Sequence, residues 1–224
     1  MDIADGRETI STTPSASRKI PKRRRFELMG GPVCLDFVNT LDDRPSLEQK
    51  ELLVTYLDLV GFAEDAGILS EVQTKELMRR STLNPDNGWR ALRIAIEMRE
   101  AMYAVFWAVI KKKPVPAAAL HALSRYVQTA AEHFHLVAGQ GHFEWRLDPA
   151  TASLEAPLWP IARSAGELLA SDELQYVRAC ASKTCEWLFL DSTKNHARRW
   201  CDMTKCGNRA KVKRFYTRNK EGTT

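Results

Sequence analysis

The chain has 224 residues, of which 44% are hydrophobic, enough for one medium-sized domain and a small additional module. Its longest apolar run, Met102 to Ile110, is far shorter than a membrane span, so we expect a soluble protein that crosses no membrane. The net charge of +5 is uneven, with +8 in residues 178–224, −7 in residues 26–177 and +4 in residues 1–25. An acidic body with two basic ends indicates that the ends bind a polyanion.

The first segment, residues 1–25, is rich in Ser, Thr and charge and contains Pro14 and Pro21, which predicts a disordered basic tail. Its basic tract from Arg18 to Arg25 either adds phosphate contacts or acts only as a solubilising tail. The segment lacks the apolar core of a secretory signal. We therefore expect a cytoplasmic protein whose cysteines are in a reducing compartment.

Residues 26–175 are predicted to form a mainly helical domain with a small β-hairpin. Ser46 and Ser70 have the residue type and position of N-caps for the first two helices. Residues 142–147 and 152–157 are the predicted hairpin strands. A further strand over 174–177 is expected to lead into the C-terminal module. Apolar periodicity and capping residues predict helices over about 47–66, 71–80, 88–112, 117–134 and 158–168.

Three polar residues of this domain lie in apolar surroundings. Asp36 and Asn39 interrupt a short apolar run, and Arg99 lies three residues after Ile96 on the apolar stripe of the longest helix. An arginine there either extends to the surface or pairs with an acid such as Asp36 or with a bound anion. The three residues are candidates for a small-ligand pocket, with an ordinary core role as the alternative.

Four of the five cysteines lie in the last part of the chain, residues 176–220. Cys180 with Cys185 and Cys201 with Cys206 form two pairs in the pattern C-x4-C-x15-C-x4-C. Two closely spaced thiolate pairs suit tetrahedral Zn²⁺, and four sulfur ligands leave no open position, which predicts one structural zinc ion. Two disulfides or four unconnected buried cysteines are the alternatives, and a reducing compartment disfavours disulfides.

Basic residues surround these cysteines. The run after Cys206 has helical spacing, which places Arg209 and Lys213 on one side and Val212 on another. Asn208 and Arg209 are the best candidates for reading base edges, whereas a solvated basic face or contacts with the acidic body are the alternatives. The candidate nucleic-acid contacts are Arg198, Arg199, Asn208, Arg209, Lys211, Lys213, Arg214 and Arg218.

The last cysteine opens the tetrapeptide CGNR, residues 206–209, and together with the cysteine spacing this resembles the CGNR zinc finger. The upstream segment CLDFVNT, residues 34–40, resembles the start of the ABATE domain that typically precedes this finger. The resemblance covers residues from about 30 to 218 and implies a bacterial regulator with a helical, sensor-like domain and a DNA-binding finger. Flanking residues that share it are Trp187, Leu188, Phe189, Asp191, Asn195, Arg198, Arg199 and Trp200.

The sequence therefore predicts a mainly α protein with a helical ABATE-like domain and a small zinc finger that is treble-clef-like or ribbon-like. We expect a zinc-dependent, DNA-binding transcriptional regulator, with a small-molecule effector of the helical domain and a homodimer as further candidates. A finger that binds a protein or RNA is the alternative, with Trp187, Phe189 and Trp200 available for it. No nucleophile motif or phosphate loop is evident, so we expect no enzyme.

Overall fold

The computed structural model describes residues 24–147 and 153–213 of the chain. Within these ranges the protein is mainly helical, and its short strands form three antiparallel pairs. None of the described helices is both long enough and apolar enough to cross a bilayer. The elements before the C-terminal module, which we call the helical body, are α1 (Val33–Val38), β1 (Leu41–Asp42), β2 (Lys50–Glu51), α2 (Tyr56–Asp65), α3 (Glu71–Leu83), α4 (Pro85–Ile110), α5 (Ala117–Ala131), β3 (Phe134–Ala138), β4 (Phe143–Leu147) and α6 (Leu158–Leu169).

The short helix α1 lies at the centre of the apolar core. Its sequence, VCLDFV, is apolar at nearly every position, and such a helix is stable only when other elements cover all of its sides. Helices α4 and α6 pack against it, and Cys34, Leu35 and Phe37 are fully buried. A strand of the C-terminal module also contacts α1, so this helix joins the two parts of the protein.

The long helix α4 has the predicted periodicity, but its buried face is shifted around the helix axis. Alanine and methionine fill this face, among them Ala95, Met98 and Met102, because small or flexible side chains let neighbouring helices approach closely. Trp89, which belonged to the predicted apolar stripe, is 65% exposed. The prediction for Trp89 was wrong, whereas Leu92 and Phe106 of the same predicted stripe are buried.

The segment after α1 also differs from the prediction. Ser46 does not cap a helix, because β1 and β2 form a strand pair there and α2 begins only at Tyr56. The N-cap of α2 is Thr55, whose hydroxyl accepts the N–H of Asp58 while the Asp58 carboxylate accepts the N–H of Thr55. This reciprocal pair satisfies two helix-end donors, which a lone serine cannot do.

The other helix predictions are confirmed with changes at the ends. Ser70 caps α3 and exchanges hydrogen bonds with Gln73, so both residues form a second capping box. The helices predicted over 117–134 and 158–168 correspond to α5 and α6, although α5 already ends at Ala131.

The hairpin of the helical body lies one segment earlier than predicted. Strand β3 pairs with β4, so residues 134–138 are a strand rather than the continuation of a helix. Residues 154–157 of the expected partner strand form turns, and residue 152 lies outside the described ranges. Strand β3 contains four apolar residues and His135, and Gly141, with φ at 81°, allows the tight turn that brings β4 back.

The C-terminal part, which we call the finger module, covers residues 177–213. Strands β5 (Val177–Ala179) and β6 (Leu188–Leu190) pair, whereas the strand predicted over 174–177 is largely a 3₁₀ turn, Asp172–Tyr176. A loop then leads to the finger helix, residues 203–213, which begins with one π-helical turn. A hairpin followed by such a helix matches the treble-clef-like alternative rather than the ribbon-like one.

Hydrogen bonds to the backbone of β6 attach the finger module to the helical body. The side-chain amide of Asn39 donates to the carbonyl of Leu188 at 2.9 Å and accepts the N–H of Leu188 at 2.8 Å. The Leu190 N–H donates to the carbonyl of Gly30 at 2.8 Å. A Cβ on Gly30 would lie only 2.8 Å from the backbone nitrogen of Asp36. A glycine is therefore needed where the chain passes this close to α1.

Candidate metal centre and nucleic-acid interface

The four cysteines of the finger module converge on one point. Cys180 follows β5 and Cys185 precedes β6, so the hairpin turn presents both sulfurs on the same side. Cys201 precedes the finger helix and Cys206 lies in its first turn. All four Sγ atoms are within 4.8 Å of one another.

The distances between the sulfurs fit a tetrahedral ion. The Sγ atom of Cys201 lies 3.6 Å from that of Cys185 and 3.7 Å from that of Cys206. Four sulfurs at about 2.3 Å from one zinc ion would be separated by about 3.8 Å, which agrees with these values. A disulfide would need about 2.05 Å, and all four cysteines are free.

The chemistry of the four thiols also fits a divalent cation. Hydrogen bonds from Cys185 and Cys201 lower the pKa of Cys180, whereas the contact with Cys180 raises the pKa of Cys185. Four thiolates packed this closely repel one another, so all four can lose their protons only around a cation. The site can therefore hold one zinc ion, and since sulfur fills all four positions its role is structural.

Asp191 fixes the loop that leads from β6 to the second cysteine pair. Its carboxylate accepts the hydroxyl of Thr193 at 2.6 Å, the N–H of Thr193 at 3.0 Å and the N–H of Arg198 at 2.8 Å. Desolvation raises the pKa of Asp191, but these three hydrogen bonds lower it more. The ring of His196 stacks on the ring of Tyr176, with the ring centres 3.6 Å apart, and this contact packs the loop against the residue before β5.

Arg198 is engaged inside the finger module. Its guanidinium donates to the carbonyls of Trp200 and Cys201, contacts that of Met29 at 3.5 Å, and lies 4.5 Å from the ring centre of Phe189. These contacts use its donors to hold the backbone around the metal site. Because these contacts occupy its guanidinium, the proposed nucleic-acid interface is built on the more exposed residues, and a contact of Arg198 with nucleic acid stays a prediction.

The finger helix presents several exposed polar side chains. Arg209, Lys211 and Lys213 are exposed, and the Arg209 guanidinium donates to the hydroxyl of Thr184 at 2.9 Å. The Asn208 amide donates to the carbonyl of Thr204 at 2.9 Å, within the same helix. Arg209 is thereby held near the first cysteine pair while its remaining donors stay available.

Of the other predicted contacts, Arg199 is exposed and its guanidinium lies 4.6 Å from the ring centre of Trp200. Arg214 and Arg218 lie outside the described residues. One contact was not predicted: Lys205, which lies between the last two cysteines, pairs with Glu27 of the helical body. Only the position of Lys205 beside the CGNR tetrapeptide could have indicated this role.

The sequence left two alternatives for Arg99: it extends to the surface, or it pairs with an acid such as Asp36. The structure shows neither a surface position nor a pair with Asp36. It is 1% exposed and forms two parallel hydrogen bonds with Glu51, at 2.6 and 2.7 Å. Glu100 accepts a further hydrogen bond from its Nε at 2.8 Å, and Thr40 one at 3.3 Å. These partners account for the donors of Arg99, so we correct its assignment to a ligand pocket.

Asp36 and Asn39 line a cleft of about 340 Å³ between the helical body and the finger module. Burial raises the pKa of Asp36 to about 6, although the N–H groups of Gly30 and Met29 lower it. Trp187 also lines this cleft, and its indole N–H is buried without a hydrogen-bond partner among the described residues. A cleft with a free donor and a buried carboxyl group has the chemistry to hold a small polar molecule.

Comparisons with known proteins agree with this division of the chain. The family model ABATE, described as "Putative stress-induced transcription regulator", matches residues 31–172. The model for the CGNR zinc finger matches residues 176–219. No curated protein matches the chain.

Proposed function

Since the chain belongs to the ABATE family and continues into a CGNR zinc finger, we propose that it is a transcriptional regulator whose finger module binds DNA when zinc is bound. The proposal places it in the bacterial cytoplasm, where a reducing environment keeps thiols available for zinc. It includes no catalytic activity, because the two families are of the regulator and zinc-finger types. The domain limits that we propose are residues 26–175 and 176–220.

The observation that supports DNA binding is a set of exposed basic side chains on the helix that the metal site anchors. Arg209 and Lys213 are four residues apart, and Lys211 lies between them. Arg199 adds a basic group from the loop that packs on the same cysteines. Zinc would fix these side chains relative to one another, and fixed basic groups can neutralise successive phosphates.

We expect Arg209→Ala and Lys213→Ala to weaken DNA binding in different ways. Arg209, held beside Thr184, is proposed to reach base edges, so its loss should relax sequence preference at a cost of about 1–3 kcal/mol for the preferred site. Lys213 is proposed to contact phosphate, so its loss should weaken binding to all duplexes and reduce the salt slope by about 0.9. Selection from a random duplex pool, followed by titrations at several salt concentrations, measures both effects.

Lys75→Ala is the matched control, because Lys75 is exposed on α3 and pairs only locally with Glu71. It should change neither affinity nor salt slope. If Arg209→Ala lowers the affinity for every duplex sequence equally, Arg209 contacts only the sugar-phosphate backbone. Duplex binding that persists unchanged in all three variants would overturn the proposed interface.

A finger module that binds RNA or a protein is the alternative. Phe189 and Trp200 are buried around the cysteines, so they are poorly placed to form an exposed aromatic surface. Competition between labelled duplex DNA and single-stranded RNA separates the two nucleic acids. If RNA displaces the duplex at equal or lower concentration, the DNA proposal fails.

A small polar effector in the cleft is a second proposal, supported by two of the residues that line it: the buried Asp36, and Trp187, whose indole N–H has no partner among the described residues. We expect a panel of small polar metabolites to contain a compound that raises the melting temperature of the zinc-loaded protein. Trp187→Phe keeps the ring but removes the donor, so the same compound should stabilise this variant less. Equal stabilisation of both proteins would show that the compound binds elsewhere.

A further inference from the structure

The β3–β4 hairpin has two chemically different faces. Because side chains alternate along a strand, Phe134, Leu136 and Ala138 of β3 lie on the same face as Phe143 and Trp145 of β4. The opposite face carries mostly polar residues such as His135, Glu144 and Arg146. A two-stranded hairpin with one continuous apolar face is not expected to leave that face in water.

Among the described residues, only the base of this apolar face is covered. The guanidinium of Arg163, on α6, lies 4.9 Å from the ring centre of Phe134 and 4.8 Å from that of Trp145. Further out, Leu136 is 56%, Phe143 75% and Trp145 53% exposed. At about 150–250 Å² for each large aromatic side chain, Phe143 and Trp145 expose on the order of 270 Å², and Leu136 raises the total to roughly 350 Å². This matches the largest patches of typical monomers, which are often functional.

An apolar groove lies next to this exposed ridge. It has a volume of about 390 Å³ between the hairpin, α5 and α6, and its wall includes Val127, Ala131 and Ala170. Gly166 lets α5 and α6 approach closely at the bottom, because a Cβ there would lie 3.0 Å from Val127. The same chain therefore presents a protruding apolar ridge and an apolar groove side by side.

We propose that a second copy of this chain covers the hairpin in a two-fold symmetric dimer, each ridge lying in the groove of the other copy. A two-fold axis pairs one patch with itself, so a patch that contains both a ridge and a groove can be self-complementary. The ridge supplies nearly half of the roughly 800 Å² that each partner buries in a standard interface. The groove and the flanking helix surfaces supply the rest.

The charges around the patch favour a second copy over a nucleic acid. Glu144 and Arg146 on the hairpin and Arg163 and Glu167 on α6 give a local net charge of zero. Residues 26–177 as a whole carry −7, which repels nucleic acid and also repels a second copy at most other surfaces. Dimerisation does not depend on DNA binding, although a dimer that binds DNA would present two finger modules to two half-sites.

Sedimentation equilibrium of the full-length, zinc-loaded protein between about 1 and 100 μM tests this proposal. The wild type should dimerise in this range, and Phe143→Glu should raise the dissociation constant about 100-fold or more, because symmetry places the new charge in the interface twice. Leu136→Lys is a second variant with the opposite charge and the same expected effect. Both positions are exposed, so the monomers should keep the circular dichroism and the melting temperature of the wild type.

Val72→Glu is the control, since Val72 is 77% exposed on α3, away from the hairpin. It should dimerise like the wild type. A wild type that remains monomeric at 100 μM would overturn the proposal and assign the patch to a different partner. A dimer that survives Phe143→Glu and Leu136→Lys would place the interface elsewhere. Neither outcome would bear on whether the finger module binds DNA.

Discussion

Removal of zinc should unfold the finger module while the helical body stays folded. The finger module has a small apolar cluster, formed largely by the four cysteines with Phe189 and Trp200, so the metal supplies most of its stability. Structural zinc in finger peptides contributes about 10–16 kcal/mol at neutral pH. Elemental analysis should find one zinc per chain, and chelation should abolish the hydrogen-exchange protection of residues 177–213.

A cysteine outside the site offers a matched control. Cys206→Ser should lower zinc content and finger-module protection, whereas Cys34→Ala should leave both unchanged because Cys34 is buried in the helical body. Burial raises the pKa of Cys34 to about 12, so it remains a neutral thiol. Lowering the pH should release the metal, since protons compete with zinc for the thiolates. Protein without stoichiometric zinc, or a finger module that keeps its protection after chelation, would contradict the zinc site.

Loss of the carboxylate that faces Arg99 should destabilise the helical body strongly. In Glu51→Ala the buried guanidinium of Arg99 loses its bidentate hydrogen bonds to Glu51. It keeps only its hydrogen bonds to Glu100 and to the hydroxyl of Thr40. Breaking one partner of a buried ion pair costs about 3–5 kcal/mol, and we expect about 3 because Glu51 is partly exposed. For a chain of this size the melting temperature should fall by about 6–12 °C.

Glu76→Ala is the matched control for this prediction. Glu76 also pairs with two arginines, Arg79 and Arg80, but on the exposed surface of α3, where water screens the ion pairs and their loss should change stability little. The double variant Glu51→Leu, Arg99→Met should be less destabilised than Glu51→Ala, because it leaves no buried charge. Equal melting temperatures for Glu51→Ala and Glu76→Ala would show that burial of Arg99 has no energetic consequence.

The metal site was predictable because its ligands lie close together in the sequence. Two closely spaced cysteine pairs can bind a tetrahedral zinc ion in few ways. The structure brings together the four predicted cysteines. The nearby role of Arg198 was not predictable in the same way. A basic residue in a basic segment resembles a surface residue, and only the positions of the Trp200 and Cys201 carbonyls show that it is used internally.

The partner of Arg99 shows the limit of sequence reasoning more clearly. The apolar stripe around Arg99 left open whether this arginine extends to the surface or pairs with an acid or an anion. Its partner is Glu51, which lies 48 residues away in a strand where a helix was predicted. The misplaced hairpin has a similar origin. Residues 134–138 follow a helix without a strong stop signal, and the pairing with 143–147 decides their conformation.

The sequence by itself determined the zinc ligands, the helical character of the body and the positions of most helices. These features depend on interactions between residues a few positions apart, such as capping boxes, apolar periodicity and thiolate pairs. The tertiary structure decided which charges are buried together, how Asn39 and Gly30 attach the finger module, and which apolar face of the hairpin remains uncovered. Those outcomes depend on contacts between residues distant in sequence, which chain folding alone brings within hydrogen-bond and van der Waals distance.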